Sequence, residues 1–412
     1  MKPLFSRLLI SSLAALLLAA VAPAQAQTFS VLARFPNQTS GDNASALLFA
    51  DGNLIGATPD GGSSRLGNIF EINSQHQEST LYTFKQSRDG RIPTSGALIQ
   101  DREGNLYGTT QGGGGYTCIG IYTVGCGTVF KLSPTGQETI LHRFSGGTDG
   151  AAPEAGLVAD AAGNLYGTTQ VGGSQCVYLE GCGTVYKISS TGTETVLYRF
   201  TGGTDGSVPS SGSLVIDAEG NLYGTTEQGG DLTCFFGRGC GVVFKVDPSG
   251  NETVLYSFTG GKDGGSPYAG VVRDSQGNLY GKTLSGGYLP CGNGGCGTVF
   301  KMDSSANETV LYSFKTSDNP SSGVVLDPEG NLYGTTSLGG DTGQGSVYEV
   351  TSQGAYILLH SFSNPPAFSD GLSPTVGLVR DPAGNLYGTT SGGGGGGCGY
   401  GDGCGVVFKI AP

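Results

Sequence analysis

Gly104-Asn105-Leu106-Tyr107-Gly108-Thr109-Thr110 is a phrase that this chain keeps repeating. It returns with small changes at Gly163, Gly220, Gly277, Gly330 and Gly384, and a weaker copy, GNLIGAT, begins at Gly52. The seven starts lie 52 to 59 residues apart. A fixed period in this range signals a solenoid, a propeller or another repeat array. Outward from the phrase, each period holds four short β-like runs separated by turn residues. In the copy that starts at Gly104 these are 97–100, 105–110, 128–132 and 139–144, all with the β-branched and aromatic content that strands favour. Two links read as hairpins: Asp101-Arg102-Glu103-Gly104 and Ser133-Pro134-Thr135-Gly136 each place Gly where a left-handed residue is needed. Helical periodicity is missing throughout. Four antiparallel strands per repeat make a propeller blade.

The strand types are out of step at the two ends of the chain. Phe29-Ser30-Val31-Leu32-Ala33-Arg34-Phe35 matches the fourth strand of other copies, such as TVLYRF at 195–200. The last run, Val406-Val407-Phe408-Lys409-Ile410, matches a third strand. The offset predicts that the N-terminal strand completes the last blade, which closes a ring and leaves no blade short of an edge. The expected fold is all-β: a seven-bladed β-propeller forming one domain over residues 27–412.

Composition sets further bounds. Of 412 residues, 76 are Gly and only 18 are Pro, without the every-third spacing of collagen. A hydrophobic share of 37%, with 19 Tyr and 18 Phe, is enough for a core and argues against disorder. Lys and Arg total 21 against 33 Asp and Glu, a net charge of −12, too few cations for a nucleic-acid-binding face. Lys2 and Arg7, an apolar run over 8–21 and Ala24-Gln25-Ala26 read as a signal peptide over 1–26, cleaved near Ala26, with Ala22-Pro23-Ala24 a second candidate. The run is too short to span a bilayer comfortably, and no later stretch is long enough. The expectation is a secreted or periplasmic monomer that does not insert in membranes.

Ten Cys suit that address. They fall into five close pairs, Cys118/Cys126, Cys176/Cys182, Cys234/Cys240, Cys291/Cys296 and Cys398/Cys404, each within one loop. Isolated pairs lack the four ligands of a structural zinc site, so local disulfides that staple the loops are the expectation.

The phrases GNLYGTT, GTVFKL, ETVLYSF and GGTDGxxP together resemble the tandem repeats of exported bacterial GloVer-type "choice-of-anchor" proteins, over essentially the whole mature chain. That group is described by its repeats and its variable C-terminal sorting signals, so the resemblance implies export and implies no activity. Here nothing after Ile410 reads as an anchor.

Repeats also filter candidate sites, because a residue present in every blade is building the blade. His76 stands where other copies have the turn glycines Gly136, Gly192 and Gly250, and His142 and His360 stand where others have Tyr. None reads as catalytic. No Ser lies in a G-x-S-x-G elbow, and the Gly-rich runs 112–115 and 392–397 lack the Lys-Ser/Thr of a phosphate loop. Asp51, Asp101, Asp160, Asp217, Asp274, Asp327 and Asp381 share the first turn, where Asp bonds its own backbone. A second ring, Asp42, Asp89, Asp149, Asp205, Asp263, Asp318 and Asp370, lies between blades, and Asp89, Asp149, Asp205, Asp263 and Asp370 read D-G-x-x-P. If the innermost strand follows, these carboxylates approach the mouth of the channel, where oxygen ligands suit calcium. The plainer explanation is a turn, and no other cofactor is expected.

The loops between second and third strands depart most from the repeat. They hold eight residues in blades without Cys (59–66, 337–344) and 13 to 16 in blades with Cys, such as 170–182 and 111–126. They carry irregular aromatics: Tyr116, Tyr122, Tyr178, Phe235, Phe236, Tyr288 and Tyr400. Tyr178, Phe235, Phe236 and Tyr288 are the candidate ligand contacts, since rigid aromatics on restrained loops lose little entropy on binding. Lys282, which replaces the Thr of other copies, joins them. Two functions remain: a non-enzymatic binding or scaffold module for a protein, glycan or cell-surface polymer, or a secreted polysaccharide hydrolase or lyase working at the channel mouth.

Overall fold

The computed structural model describes residues 27–412 other than 38–43, 86–87, 94–95, 119–124, 175, 177–180, 210, 292–293, 317, 321, 364–368, 396–397 and 399–402. The leader read at 1–26 lies outside the described residues. Seven antiparallel sheets follow one another around a ring, each with the order first, second, third, fourth strand from the axis outward. In the second blade these are Ile99–Gln100, Leu106–Gly112, Thr128–Leu132 and Glu138–Arg143. The third strands carry the core: Thr128–Leu132, Thr184–Ile188, Val242–Val246 and their counterparts bury every residue but the fourth. Fourth strands, at the rim, are partly buried except at their second and sixth residues, which are exposed.

The expected ring closure is present. Thr28–Arg34 pairs antiparallel with Val406–Ala411, with Phe29 opposite Ile410 and Val31 opposite Phe408. Its register shifts between Val31 and Ala33, as it does between third and fourth strands of the other blades, for example at Ile140/His142 and Val185/Tyr186. The N-terminal strand therefore occupies the fourth-strand place with its bulge intact.

One aromatic contact recurs at every blade junction. The Phe that follows each fourth strand meets the third-strand aromatic of the next blade edge-on: Phe84 on Phe130 (5.5 Å between centroids), Phe144 on Tyr186 (5.0 Å), Phe200 on Phe244 (5.1 Å) and Phe258 on Phe300 (5.2 Å). Phe314 on Tyr348 and Phe362 on Phe408 continue the series at 5.4 Å each. Phe35 on Phe70, at 5.2 Å, closes it between last and first blades. Such pairs add about 0.5–1.5 kcal/mol beyond the area they bury.

The repeated phrase now has a physical reading. Gly104 takes φ +80°, the turn conformation that a side chain disfavours. Leu106 enters the core. Gly108 has no room for a side chain, because a Cβ would stand 2.6 Å from Leu98 Cδ2 and 2.8 Å from Phe130 Cζ. Thr109 donates its hydroxyl to the Ala155 carbonyl of the next blade (3.0 Å), and Thr389 does the same across the closure to Ala44 (2.7 Å). Thr110 meets Thr128 within the blade at 2.8 Å.

Candidate recognition face

The first ring of aspartates is a set of turn clamps. Asp101 Oδ1 accepts the amides of Glu103 and Asn105, each at 2.9 Å, and Oδ2 accepts Asn105 Nδ2 (2.8 Å) and the Tyr107 hydroxyl (2.9 Å). The Asn and Tyr of the phrase thus serve one carboxylate. The Asn and Tyr bonds recur at Asp160, Asp217, Asp274, Asp327 and Asp381. Burial alone would raise Asp101, Asp160, Asp217, Asp274 and Asp381, but these hydrogen bonds outweigh it and hold them below the usual carboxylate range. Asp51 differs: it takes φ 52°, and Ile55 stands where the others have Tyr.

The second ring differs from the sequence expectation that its carboxylates approach the channel. Asp205 accepts the Tyr198 hydroxyl (2.9 Å), the Thr201 amide (2.7 Å) and the Thr201 hydroxyl (2.6 Å). Asp263 does the same with Tyr256 and Thr259, and Asp370 with His360 (3.1 Å) and Ser363. Asp149 faces His142 at 3.5 Å and accepts the Ser145 amide. These carboxylates turn back to the fourth strand because its Tyr or His and the following Ser or Thr offer donors within a few residues. Asp89 lies on the same side, close enough to Tyr82 and Glu138 to act on both electrostatically. Asp318 accepts from Thr316, and Asp42 lies outside the described residues. Among the described residues, no group of three or more His, Cys, Asp or Glu side chains is placed to hold a metal ion.

Antiparallel strand order puts the loops after second strands and those after fourth strands on one face, opposite the Asp clamps. All ten Cys pair as expected, Cys118 with Cys126, Cys176 with Cys182, Cys234 with Cys240, Cys291 with Cys296 and Cys398 with Cys404. Their Cα atoms lie 5.2 to 5.6 Å apart, at sequence separations of 5 to 8.

The pairs are local staples as expected, and their burial adds what they are fastened to. The second cysteine of each pair, Cys126, Cys182, Cys240, Cys296 or Cys404, is buried, at most 3% exposed. Cys118 and Cys398 are buried too. Each second cysteine belongs to the core of its blade, beside the Phe that follows the fourth strand. Cys126 clusters with Phe144, Cys182 with Phe200, Cys240 with Phe258, Cys296 with Phe314 and Cys404 with Phe35. The reason is position in the chain: each stands two residues before a third strand, the most buried strand of the blade. The bonds therefore fasten the recognition loops to the blade core through the buried second cysteine, while Cys176, Cys234 and Cys291 are half-buried.

Tyr116, Leu232, Phe235, Phe236, Tyr288 and Leu338 stand exposed on the loops. Phe236 is the extreme, 103% exposed at the centre of a 3₁₀ turn, Phe235–Gly237, that the Cys234–Cys240 bond brackets. Phe235 and Phe236 both hold positive φ, 42° and 59°, which is uncommon for an aromatic residue. Tyr178, like Tyr122 and Tyr400, lies outside the described residues. Lys282 is not among the loop tips: it is 1% exposed, and its ammonium nitrogen has no hydrogen-bond partner among the described residues. Burial holds its pKa well below the usual lysine value.

The structure adds a cluster that sequence reasoning missed. A channel of about 1390 Å³ runs along the first strands. At its loop end the Glu154 carboxylate accepts the side-chain amides of Gln111 and, at 3.2 Å, Gln170. Glu227 follows the G-T-T of the next blade, as Gln111 and Gln170 follow theirs, and burial raises its pKa. Tyr268 lines the same end; burial first, then the charges of Glu154 and Glu227, raise its hydroxyl. The sequence signal was available: the position after G-T-T reads Gln111, Gln170, Glu227, Leu284, Ser337 and Ser391, so it varies where the phrase does not.

Fold and face define an all-β, seven-bladed propeller with disulfide-pinned loops on one side. The sequence profile of the Gloeobacter/Verrucomicrobia repeat matches residues 18–174, 117–318 and 235–412, and the chain belongs to that repeat family. No curated protein matches it in sequence. Solved structures are similar to it at low identity. A candidate 6-phosphogluconolactonase from Bacteroides fragilis is 14% identical, over 84% of this chain and 86% of that one, with a TM-score of 0.49. A luciferin-regenerating enzyme is 10% identical, over 94% and 95%, with a TM-score of 0.46. A puromycin-hydrolyzing peptidase of Mycobacterium tuberculosis is 10% identical, over 85% and 59%, with a TM-score of 0.41. The five disulfides fit an oxidising compartment, and among the described residues no helix is long and apolar enough to cross a membrane.

Proposed function

We propose that this protein is an exported binding module whose loop face engages a glycan or another cell-surface polymer without transforming it. Phe236 carries the reading. A fully exposed Phe has no folding role to recover the cost of its left-handed backbone, and a disulfide rooted in the blade core at Cys240 holds its turn. A presented aromatic with little entropy left to lose is an efficient contact for a sugar face or an apolar side chain. Tyr288 in the next blade extends the row. The test is a glycan and peptide array probed with the protein and with Phe236→Ala. Loss of signal by about ten-fold in the variant supports the reading, and a ligand that binds both equally removes it.

The second reading is a polysaccharide hydrolase or lyase. Its support is that Glu154 is held by two amides while burial raises Glu227, two carboxyls in unlike environments. New reducing or unsaturated ends released by the protein, and abolished by Glu227→Gln, would replace the binding reading with this one.

A further inference from the structure

We propose that the loop end of the central channel is a binding site for a saccharide carrying a free, protonated amine, with Glu154 and Glu227 receiving the ammonium group. The site is separate from the aromatic loop tips and does not depend on them.

Three observations carry it. The first is positioning. Glu154 is anchored from two blades at once, by Gln111 and by Gln170, so its carboxylate is held in place before any ligand arrives. Glu227 comes from a third blade and Tyr268 from a fourth, and both carboxylates act on the Tyr268 hydroxyl. Gln111, Glu154 and Tyr268 thus line one end of one cavity, and Glu227 stands behind Tyr268, close enough to act on its hydroxyl.

The second is charge. The cations lining the channel are Arg273 and Arg380, and both belong to the opposite end. Arg273 lies over the Tyr223 ring at 5.7 Å, and Arg380 approaches the turn glycine Gly384. At the loop end the described lining offers Asp60 and Glu154, and no described Lys or Arg lines it. The mouth is therefore anionic, and partly desolvated carboxylates are costly to keep charged. A ligand ammonium lowers that cost, whereas a phosphate or carboxylate ligand would add to the repulsion.

The third is the rest of the lining. Gln111, Ser211, Asn319 and Ser337 place amides and hydroxyls around the same mouth, groups that match sugar hydroxyls better than an alkyl chain. A volume of about 1390 Å³ exceeds what one small ligand fills and admits a short oligosaccharide.

The test is calorimetric titration of the full protein with tri-glucosamine, tri-N-acetylglucosamine and spermidine. Tri-glucosamine should bind, with the acetylated trimer about ten-fold or more weaker because it lacks the charge. Glu154→Gln and Glu227→Gln should each cost about ten-fold while the melting curve shows an intact fold. Equal binding of both trimers, no effect of either glutamine, or no heat from tri-glucosamine at millimolar concentration overturns the proposal. Spermidine binding as tightly as tri-glucosamine overturns the saccharide part. Phe236→Ala separates this site from the loop-tip reading: it should leave tri-glucosamine binding at the mouth unchanged, whatever it does to polymer binding.

Discussion

Removing residues 27–36 should abolish cooperative folding, although the segment is short. It contains the strand Thr28–Arg34 and also Phe35, which is 0% exposed and forms the aromatic junction between last and first blades. Truncating a buried Phe to Ala costs about 3–5 kcal/mol. The deletion also uncovers Val406–Ala411, whose Val406, Val407 and Phe408 are fully buried in the intact ring. These losses together rival the whole stability of a typical domain, about 5–15 kcal/mol. A finer test compares Phe35→Ala with Phe84→Ala. Both side chains are 0% exposed, and their ring contacts are 5.2 and 5.5 Å, so the two variants should lose similar stability, to within about 1 kcal/mol. Urea unfolding followed by circular dichroism gives the two free energies, and light scattering gives the state of the truncated chain. A peptide spanning 27–36 should restore folding in trans. A truncated chain that stays monomeric with an unchanged melt, or a Phe35→Ala loss far below that of Phe84→Ala, would show that the closing strand does not hold the ring.

Three further outcomes can be measured. Glu138, Glu252 and Glu308 open fourth strands and are pushed up to about 7, first by burial and then by Asp89, Asp205 and Asp263. A raised carboxyl contributes stability that is complete below its unfolded value and is lost as pH rises through about 7, so the thermal midpoint should fall between about pH 5 and pH 8. The clamped aspartates have the opposite sign and are lost only below their ordinary range, so Glu→Gln at all three glutamates should make the alkaline decline shallower; an unaltered profile refutes the assignment. Each disulfide closes a loop of only 5 to 8 residues in separation, about 2 kcal/mol of chain entropy apiece, so reduction should lower the midpoint. Strand content should survive, because the freed thiols of Cys126, Cys182, Cys240, Cys296 and Cys404 still pack as small apolar groups in the blade cores. Collapse of the far-ultraviolet signal on reduction would count against that. Lys282→Met should stabilise the protein by about 1 kcal/mol or more, because it removes a buried amine with no partner among the described residues, and a destabilised variant would mean that the amine is needed.

Much of this molecule is local information. The period of the phrase sets the blade count, the alternation of residues sets the strands, and turn chemistry at Asp101 and Gly104 acts within a few residues. Even ring closure was legible, because Phe29 to Phe35 spell a fourth strand in the wrong place. The Cys pairing is legible for the same reason, each pair lying within one short loop. What each bond fastens is not, since the burial of Cys126 and Cys404 depends on a Phe contributed by the fourth strand. The rest likewise depends on which residues the ring brings together. Asp205 was placed correctly between blades, but only the fold shows Tyr198 and Thr201 drawing its carboxylate away from the channel. Lys282 looks like an exposed departure from Thr, yet its strand packs against the next blade and the chain must bury it. Glu154, Glu227 and Tyr268 sit in different repeats, and no local pattern links them. They meet because seven wedge-shaped sheets close around one axis, which turns equal offsets in sequence into neighbours at the channel mouth.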